Sequence, residues 1–288
     1  MKIAVSKKQL AARWYNMAMN IAIQGEAGSF HEQAAYEWFG SNTEIYPCMT
    51  FAQEFDAYEN GEVDAVVVAV ENTIYGSINE TYQLIEDCSA PIIGEVKLQI
   101  AQQLIGFDGV SFKDITEIYS HPVALAQCKQ TLQKIAPNAE LIEFYDTAGA
   151  VAFVKESKNR QAAAIASIQA AKLHQMSIVA RDIQDDPTNF TRFLVLADED
   201  TNPAPNRSSL VVTTAHKPGA LAEVLNVFAN QGVNLEKLQS QPIVGQPWTY
   251  KFYIVVDAAG DKLRSAVADI EQGNHEVTLL GEYKGYNS

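Results

Sequence analysis

The chain has 288 residues, of which 47% are hydrophobic, and its formal net charge is −14. This length is enough for two ordinary domains with a substantial core. The excess of negative charge argues against nucleic acid or an anionic membrane surface as a partner, because both bind basic faces. The most apolar runs are far shorter than the roughly 18 residues that cross a bilayer, so we expect no membrane-spanning segment.

The N-terminal residues and the cysteines bear on localisation. Residues 1–19 have a basic start without a long apolar segment before a cleavage site, so we interpret them as an N-terminal extension and not as a secretory signal. The three cysteines, Cys48, Cys88 and Cys128, are widely separated. This spacing predicts neither a disulfide framework nor a metal site, and it favours a cytoplasmic protein.

Short apolar strands alternate with helical periodicity from Asn20 onward. Ser29 is a predicted N-cap, and Ser77 with Glu80 has the spacing of a capping box. The predicted elements are strand 20–25, helix 29–40, strand 43–48, helix 51–61, buried strand 64–72 and helix 77–88.

A second set of alternating elements follows. Alternation of this kind predicts an α/β fold with largely parallel sheets, and two sets suggest two lobes. Ligands of such folds usually bind at the carboxyl ends of the strands. The predicted elements are strand 95–107, strand 117–120, helix 122–136, strand 139–145, helix 147–157, strand 162–166, helix 168–175 and strand 193–196.

The polar, proline-bearing stretch 197–209 is the clearest linker. The pattern after it is strand, helix, strand, strand, helix, strand, which is the split ferredoxin-like arrangement. That fold serves many functions, so it indicates architecture only. The predicted organisation is an extension at 1–19, a first domain at 20–200, a linker at 201–207 and a second domain at 208–288.

Several polar residues lie where strands end and helices begin. Gly25, Gly28 and Ser29 form either an ordinary turn or an anion site at a helix N-terminus. Thr147 is a predicted N-cap. A protein with few cations can hold an anion with such helix starts, provided that they share one cleft.

The other polar strand ends leave two interpretations open. Glu71 and Asn72 end the most apolar strand, and they act either in capping the loop or in a site. Ser120 and His121 precede Pro122 at a helix start, where a histidine usually has a structural hydrogen bond. The five histidines are scattered, and the sequence has neither a nucleophile elbow nor a P-loop. The remaining chemistry is proton donation and charge stabilisation by hydroxyls, amides and helix ends.

The run from Asn189 through Thr191, Arg192 and Phe193 resembles the signature of the prephenate dehydratase family. The stretches GEAGSFHEQAA, VENTIYGSI, SHPVALAQC, DTAGAV and AAAIAS resemble the family's other motifs in the same order. The C-terminal pattern resembles an ACT regulatory domain. The resemblance covers about residues 20–285 and implies a two-lobed α/β catalytic domain similar to the lobes of periplasmic binding proteins.

The resemblance implies the loss of water and CO2 from prephenate, without a cofactor or a metal. Thr191 is then the donor to the departing hydroxyl, Arg192 a carboxylate ligand or a structural anchor, and Phe193 a packing residue. A carboxylate at Glu71 beside a dianion would have to be protonated or turned away. The implied substrate-binding residues are Gly28, Ser29, Asn72, Thr73, Ser77, Ser120, Gln127, Thr147 and Asn189.

The second domain departs from the family pattern. Phenylalanine is commonly bound in this family at a GALV turn and an ESRP run, where this chain has GALA at 219–222 and QSQP at 239–242. The resemblance still implies phenylalanine as a possible effector and a homodimer or homotetramer. The implied effector residues are Gly219, Ala220, Leu221, Asn234 and Ser240.

Two alternatives remain at this stage. Arogenate differs from prephenate by an amino group, and the sequence does not discriminate between the two substrates. A binding protein without activity could also combine a cleft with an amino-acid sensor. The Thr191-Arg192 pair favours the enzyme, because a binding protein needs no proton donor beside its anion.

Overall fold

The computed structural model describes residues 19–198, 204–243, 245–246 and 249–286. The predicted N-terminal extension lies outside the described residues except for Met19, and so do residues 201–203 of the predicted linker. Within the described residues, the longest helix spans Gly260–Gln272, and no helix is long and apolar enough to cross a membrane.

The N-terminal half follows the predicted alternation closely. Its elements are β1 (Met19–Gln24), α1 (Phe30–Phe39), β2 (Thr43–Cys48), α2 (Phe51–Glu59), β3 (Ala65–Asn72), β4 (Gly76–Ser77), α3 (Asn79–Asp87) and β5 (Ile92–Gln99). The next elements are β6 (Gln103–Gly106), β7 (Glu117–Ser120), α4 (Pro122–Gln127), α5 (Lys129–Ile135), β8 (Glu140–Glu143), α6 (Thr147–Ser157), β9 (Ala162–Ala166), α7 (Ile168–Leu173), β10 (Ser177–Ala180) and β11 (Phe190–Leu196).

The C-terminal part has the predicted order of two helices and four strands. Its elements are β12 (Arg207–Thr213), α8 (Ala220–Asn230), β13 (Leu235–Pro242), β14 (Tyr250–Val256), α9 (Gly260–Gln272) and β15 (Glu276–Tyr283). They form an antiparallel sheet in the order β13-β14-β12-β15. Val224 and Phe228 of α8 and Leu263 of α9 pack against the strand residues Leu210 and Ile254 in one buried core.

Two further sheets carry the rest of the chain. The first has the order β2-β1-β3-β11-β5, with β4 paired to β3, and its β1–β2 and β1–β3 pairs are parallel. The second has the order β10-β6-β9-β7-β8. Its β7 pairs are parallel and its β6 pairs are antiparallel, so the prediction of largely parallel sheets is only partly correct.

Burial and capping explain why the strongest patterns were predictable. Residues 65–70 of β3 are all buried, as expected for a continuous apolar run in the centre of a sheet. Ser29 caps α1 by accepting a hydrogen bond from the backbone N–H of Glu32, and Gly40 follows the last helical residue.

Four details of the predicted elements are wrong. The predicted strand at 95–107 is two strands, since β5 ends at Gln99 and β6 begins at Gln103, and the predicted helix at 122–136 is interrupted at Cys128. Helix α3 begins at Asn79, so Ser77 lies in β4 and is not the residue directly before the helix. Asp146, and not Thr147, is the N-cap of α6.

The chain divides into two compact units that differ from the predicted domains. One unit comprises the residues up to Ile78 and Val96–Phe193, and the other comprises Asn79–Glu95 and Leu194–Ser288. In the second unit, Lys251 of β14 donates to Gln83 of α3 at 2.9 Å. Arg207, which was placed in the linker, begins β12 and pairs with the buried Glu95. These polar contacts group α3 and the start of β5 with the C-terminal sheet.

Candidate functional site

A cavity of about 380 Å³ lies in the first unit, where several strands end and helices begin. The predicted residues that line it are Ser29, Asn72, Gln127, Thr147, Thr191 and Phe193. Its wall also contains residues that the sequence did not single out, among them Gln24, His31, Phe51, Tyr75, Gln102, Tyr145 and Asp146. Among the described residues, no lysine or arginine lines this cavity.

The side chain of Asn72 connects the end of β3 to β11. Its Nδ2 atom donates to Thr191 Oγ1 at 3.0 Å and to Asn189 Oδ1 at 2.8 Å. Its Oδ1 atom accepts from the backbone N–H groups of Ile74 and Tyr75, each at 3.0 Å. All these bonds agree on one orientation of the amide, so Asn72 is held as a donor toward Thr191.

The hydroxyl of Thr191 is therefore oriented for donation. Because its oxygen accepts from Asn72, its own proton points away from Asn72 and is available to a ligand in the cavity. Thr191 is 8% exposed, so this hydrogen bond forms in a largely desolvated wall, where it is stronger than in water.

Arg192 does not line the cavity, although it is adjacent to Thr191 in the chain. Side chains alternate along β11, so Thr191 and Phe193 face the cavity and Arg192 does not line it. One guanidinium nitrogen of Arg192 lies 4.0 Å from a carboxylate oxygen of Glu71, which is also absent from the cavity wall. Of the two roles named for Arg192, carboxylate ligand and structural anchor, the structural anchor fits this geometry.

Phe193 and His31 form one apolar part of the wall. Their rings meet edge to face, with centroids 5.0 Å apart. Burial lowers the pKa of His31 to about 4, and its Nε2 atom is buried without a partner among the described residues. His31 is therefore neutral near pH 7 and supplies no positive charge to a substrate. His31 lies inside a helix, and nothing in the sequence marked it as a site residue.

Two predicted substrate ligands form hydrogen bonds inside the protein instead. The backbone N–H of Gly28 donates to the carboxylate of Glu32, and its carbonyl accepts from the hydroxyl of Ser167, so this glycine offers no donor to an anion. The Ser120 hydroxyl is fully buried and donates to the carbonyl of Ile165 at 2.6 Å. Neither Gly28 nor Ser120 lines the cavity.

Thr73, Ser77 and Asn189 also lie outside the cavity wall. The Thr73 hydroxyl donates to the carbonyl of Thr188 at 2.7 Å and accepts from the N–H of Phe190 at 2.9 Å. It thus fixes the segment that leads into β11. Asn189 is completely buried and accepts a hydrogen bond from Asn72. Thr73 and Asn189 therefore position other residues and do not contact a ligand directly.

Two helices, each of ten or more residues, have their N-termini in the cavity wall. Ser29, Phe30 and His31 at the start of α1 line it, and so do Asp146 and Thr147 at the start of α6. The amides Gln102 and Gln127 complete this polar surface, with Gln102 Nε2 at 3.4 Å from Gln127 Oε1. The carboxylate of Asp146 caps α6, so the N-terminus of α1 and the neutral amides are the groups that could hold an anion here.

A second cavity of about 430 Å³ lies in the C-terminal unit. It is lined by the predicted effector residues Gly219, Ala220 and Leu221, together with Tyr250 and Phe252 of β14. Gly219 has a φ of +87°, a conformation that favours glycine, directly before α8.

The other two predicted effector residues, Asn234 and Ser240, do not line the second cavity. The Asn234 carbonyl accepts from the N–H of Asp257 at 3.0 Å. Ser240 is paired with Phe252 between β13 and β14. Within the described residues, no cluster of histidine, cysteine and acidic side chains could hold a metal ion.

Comparison with known proteins identifies both parts of the chain. Residues 21–201 match the family model described as prephenate dehydratase, and residues 208–272 match that of the ACT domain. A relative from Arabidopsis thaliana, named arogenate dehydratase/prephenate dehydratase 2, chloroplastic, is 37% identical over 279 residues, which cover 92% of this chain and 72% of the relative.

Solved structures agree with this assignment. A prephenate dehydratase from Arthrobacter aurescens in complex with L-Phe has a TM-score of 0.82 and 28% identity, and the match covers 92% of this chain and 89% of that one. A protein described as a quorum-quenching acylase has a TM-score of 0.84 and 28% identity, over 93% of this chain and 98% of that one. The predicted α/β class and the C-terminal ACT domain are confirmed.

Proposed function

The chain belongs to the prephenate dehydratase family, and from this we propose how its cavity catalyses the decarboxylating dehydration of prephenate to phenylpyruvate. The observation that carries the mechanism is the hydrogen bond from Asn72 Nδ2 to Thr191 Oγ1 at 3.0 Å. It leaves a hydroxyl donor in the wall of a cavity that has room for a small ring compound.

The reaction removes a carboxylate and a hydroxyl from opposite positions of the ring. The bond between the ring and its carboxylate breaks, the electron pair enters the ring, and the carbon–oxygen bond of the hydroxyl breaks, so that CO2 leaves and the ring becomes aromatic. The departing hydroxide takes up one proton, supplied in the net reaction by solvent, and leaves as water. Thr191 donates a hydrogen bond to that oxygen as negative charge develops on it, and a preorganised donor of this kind stabilises the transition state without reorganisation.

The remaining groups of the wall bind and orient the substrate. The N-terminus of α1 and the amide of Gln127 favour a carboxylate by dipole and hydrogen bond. His31, Phe193 and Phe51 give the ring an apolar surface that excludes water. Loss of water from the site strengthens the hydrogen bond of Thr191, because the local dielectric falls.

The direct test is turnover by the purified chain. We expect prephenate to be consumed with formation of one phenylpyruvate and one CO2 for each molecule, measured by the absorbance of the product and by CO2 release. Absence of turnover of both prephenate and arogenate would contradict the proposed function.

An acylase activity, which the name of one structural neighbour suggests, has less support from the geometry. Acyl transfer by a hydroxyl requires a base bonded to that hydroxyl. In the cavity, Thr191 Oγ1 accepts from Asn72, and Ser29 Oγ accepts from the N–H of Glu32. Both hydroxyls are thus held by amide donors, which cannot remove a proton from them.

L-Phenylalanine is proposed as an effector of the ACT domain. The support is the second cavity at Gly219–Leu221, which is formed by the turn that resembles the family's GALV, and the L-Phe complex of the Arthrobacter aurescens protein. A ligand that binds only the folded domain raises its melting temperature and biases any equilibrium between states that differ in this cavity.

We expect L-phenylalanine to raise the melting temperature and to lower the rate of prephenate turnover. Leu221→Ala removes apolar surface from the cavity wall, so it should weaken both effects by roughly tenfold in phenylalanine concentration. Leu173→Ala, at an exposed position on α7 outside both cavities, is the matched control and should leave both effects intact. Equal responses in the wild type and the Leu221 variant would contradict the assigned site.

A homodimer or homotetramer and a cytoplasmic location complete the proposal. Both edge strands of the C-terminal sheet carry an exposed leucine, Leu238 on β13 and Leu279 on β15, and edges of this kind favour pairing with a second copy. The free cysteines Cys48 and Cys128 are buried, which suits a reducing compartment. Light scattering on the eluting peak of a sizing column would give the number of subunits.

A further inference from the structure

The carboxylate of Asp146 is fixed at the wall of the catalytic cavity. One of its oxygens accepts from the N–H groups of Ala148 at 2.6 Å and Gly149 at 3.4 Å, and the other accepts from the N–H of Glu26 at 3.3 Å. These bonds hold the side chain in place and satisfy the first turn of α6. An uncapped helix start would attract an anion, whereas here a full negative charge stands in front of the helix.

A second carboxylate adds to the negative potential at the same place. The Tyr145 hydroxyl, which also lines the cavity, donates to Glu26 Oε1 at 2.8 Å. This hydrogen bond, together with burial and the charges of Glu26 and Asp146, raises the pKa of Tyr145 to about 12. Tyr145 therefore stays a neutral phenol near pH 7, and this end of the cavity repels a further carboxylate.

The cavity also presents an acceptor that has no donor. Gln102 is 2% exposed and lines the cavity, and its Oε1 atom has no hydrogen-bond partner among the described residues. A buried acceptor without a donor is costly, so a ligand that supplies N–H or O–H groups would stabilise the wall. Asp146 and Gln102 Oε1 are thus two acceptors in a wall without lysine or arginine.

The two substrates of the relatives differ in what they offer to such a wall. Prephenate has two carboxylates, a keto group and a single donor, its ring hydroxyl. Arogenate has an ammonium group in place of the keto group, which adds three N–H donors and a positive charge. A ligand ammonium facing Asp146 turns a repulsive contact into an attractive one.

On the basis of the proposed function, we propose that Asp146 binds the ammonium group of arogenate and makes the cavity favour this amino acid over prephenate. Bond breaking is the same for both substrates. The ring carboxylate leaves as CO2 with its electron pair entering the ring, the hydroxide leaves with one proton as water, and the product from arogenate is phenylalanine. The ammonium takes no part in these steps, so its contact with Asp146 acts on binding and orientation.

The test is the ratio of kcat/KM for arogenate to kcat/KM for prephenate. We expect a ratio above one for the wild type, and Asp146→Asn should lower kcat/KM for arogenate by about 10- to 100-fold while leaving that for prephenate equal or higher. Asparagine caps a helix as well as aspartate does, so the change removes the charge, keeps the bonds from Ala148 and Gly149, and loses only the longer bond from the N–H of Glu26 at 3.3 Å. In Asp146→Ser a neutral hydroxyl caps the helix in place of the carboxylate, so this change should also lower the ratio.

Asp185→Asn is the matched control. Asp185 also accepts from helix N–H groups, those of Gln130 at 2.9 Å and Thr131 at 2.8 Å, but it does not line the cavity. It should leave the ratio unchanged. A ratio below one in the wild type, or the same ratio in the wild type and both Asp146 variants, would overturn this inference while prephenate turnover still supports the proposed function. Turnover of neither substrate would overturn both.

Discussion

Thr191→Ala should lower kcat for prephenate by about 100-fold or more and leave KM within a few-fold of the wild type. The substitution removes the hydroxyl that donates to the departing oxygen, together with the γ-methyl group, and leaves only Cβ. Because the hydrogen bond strengthens as charge develops on the leaving oxygen, its loss acts on the transition state more than on bound substrate.

Thr191→Ser separates the hydroxyl from the methyl group. Serine retains the donor and the acceptor for Asn72 Nδ2, so we expect its kcat to stay within about tenfold of the wild type. Steady-state kinetics of both variants on prephenate give the comparison. Near-normal kcat in the alanine variant would assign the hydroxyl to structure alone.

Gly28→Ala should destabilise the protein by about 2–5 kcal/mol, because it combines two separate costs. Gly28 has a φ of +89°, and a Cβ there would lie 2.8 Å from the backbone Cα of Ala170. Alanine therefore combines backbone strain with a clash against main chain of α7 that cannot rotate away. The result is measured as the free energy of unfolding in urea.

Gly40→Ala is a close control for the Gly28 variant. Gly40 has a φ of +85° and nothing lies within 4 Å of its Cβ position. It also has a positive φ, with a ψ of 171°, but no clash, so we expect a smaller loss of about 1–3 kcal/mol from backbone strain alone. Similar decreases in the free energy of unfolding for the two variants would contradict the close contact between Gly28 and Ala170.

The fold was predictable where a pattern was both local and strong. The buried run of β3 and the cap and glycine stop of α1 agree with the structure. The break of the predicted helix at Cys128 and the separation of β5 from β6 were not visible, because both stretches keep their apolar periodicity across the break. Strand β10 was missed since it is short, and all its residues are only partly buried.

Several predicted site residues lie around one cavity, but the directions of their side chains could not be predicted. Asn72 and Thr191 come from segments 119 residues apart, and the structure joins them by one hydrogen bond. The side to which a side chain points depends on strand pairing, so the sequence could not show that Arg192 faces away from Thr191. Gly28 and Ser120 were predicted from residue type alone. In the structure Gly28 bonds to Glu32 and Ser167, and Ser120 bonds to Ile165, so these polar groups are not available to a ligand.

The most direct test of the account is a double-mutant cycle between Asn72 and Thr191, read as kcat for prephenate. Because Asn72 acts by orienting the Thr191 hydroxyl, we expect Asn72→Ala to lower kcat clearly in the wild type and by less than about threefold in the Thr191→Ala background. Two losses that multiply would contradict the account, since Asn72 and Thr191 would then act independently of the hydrogen bond that joins them.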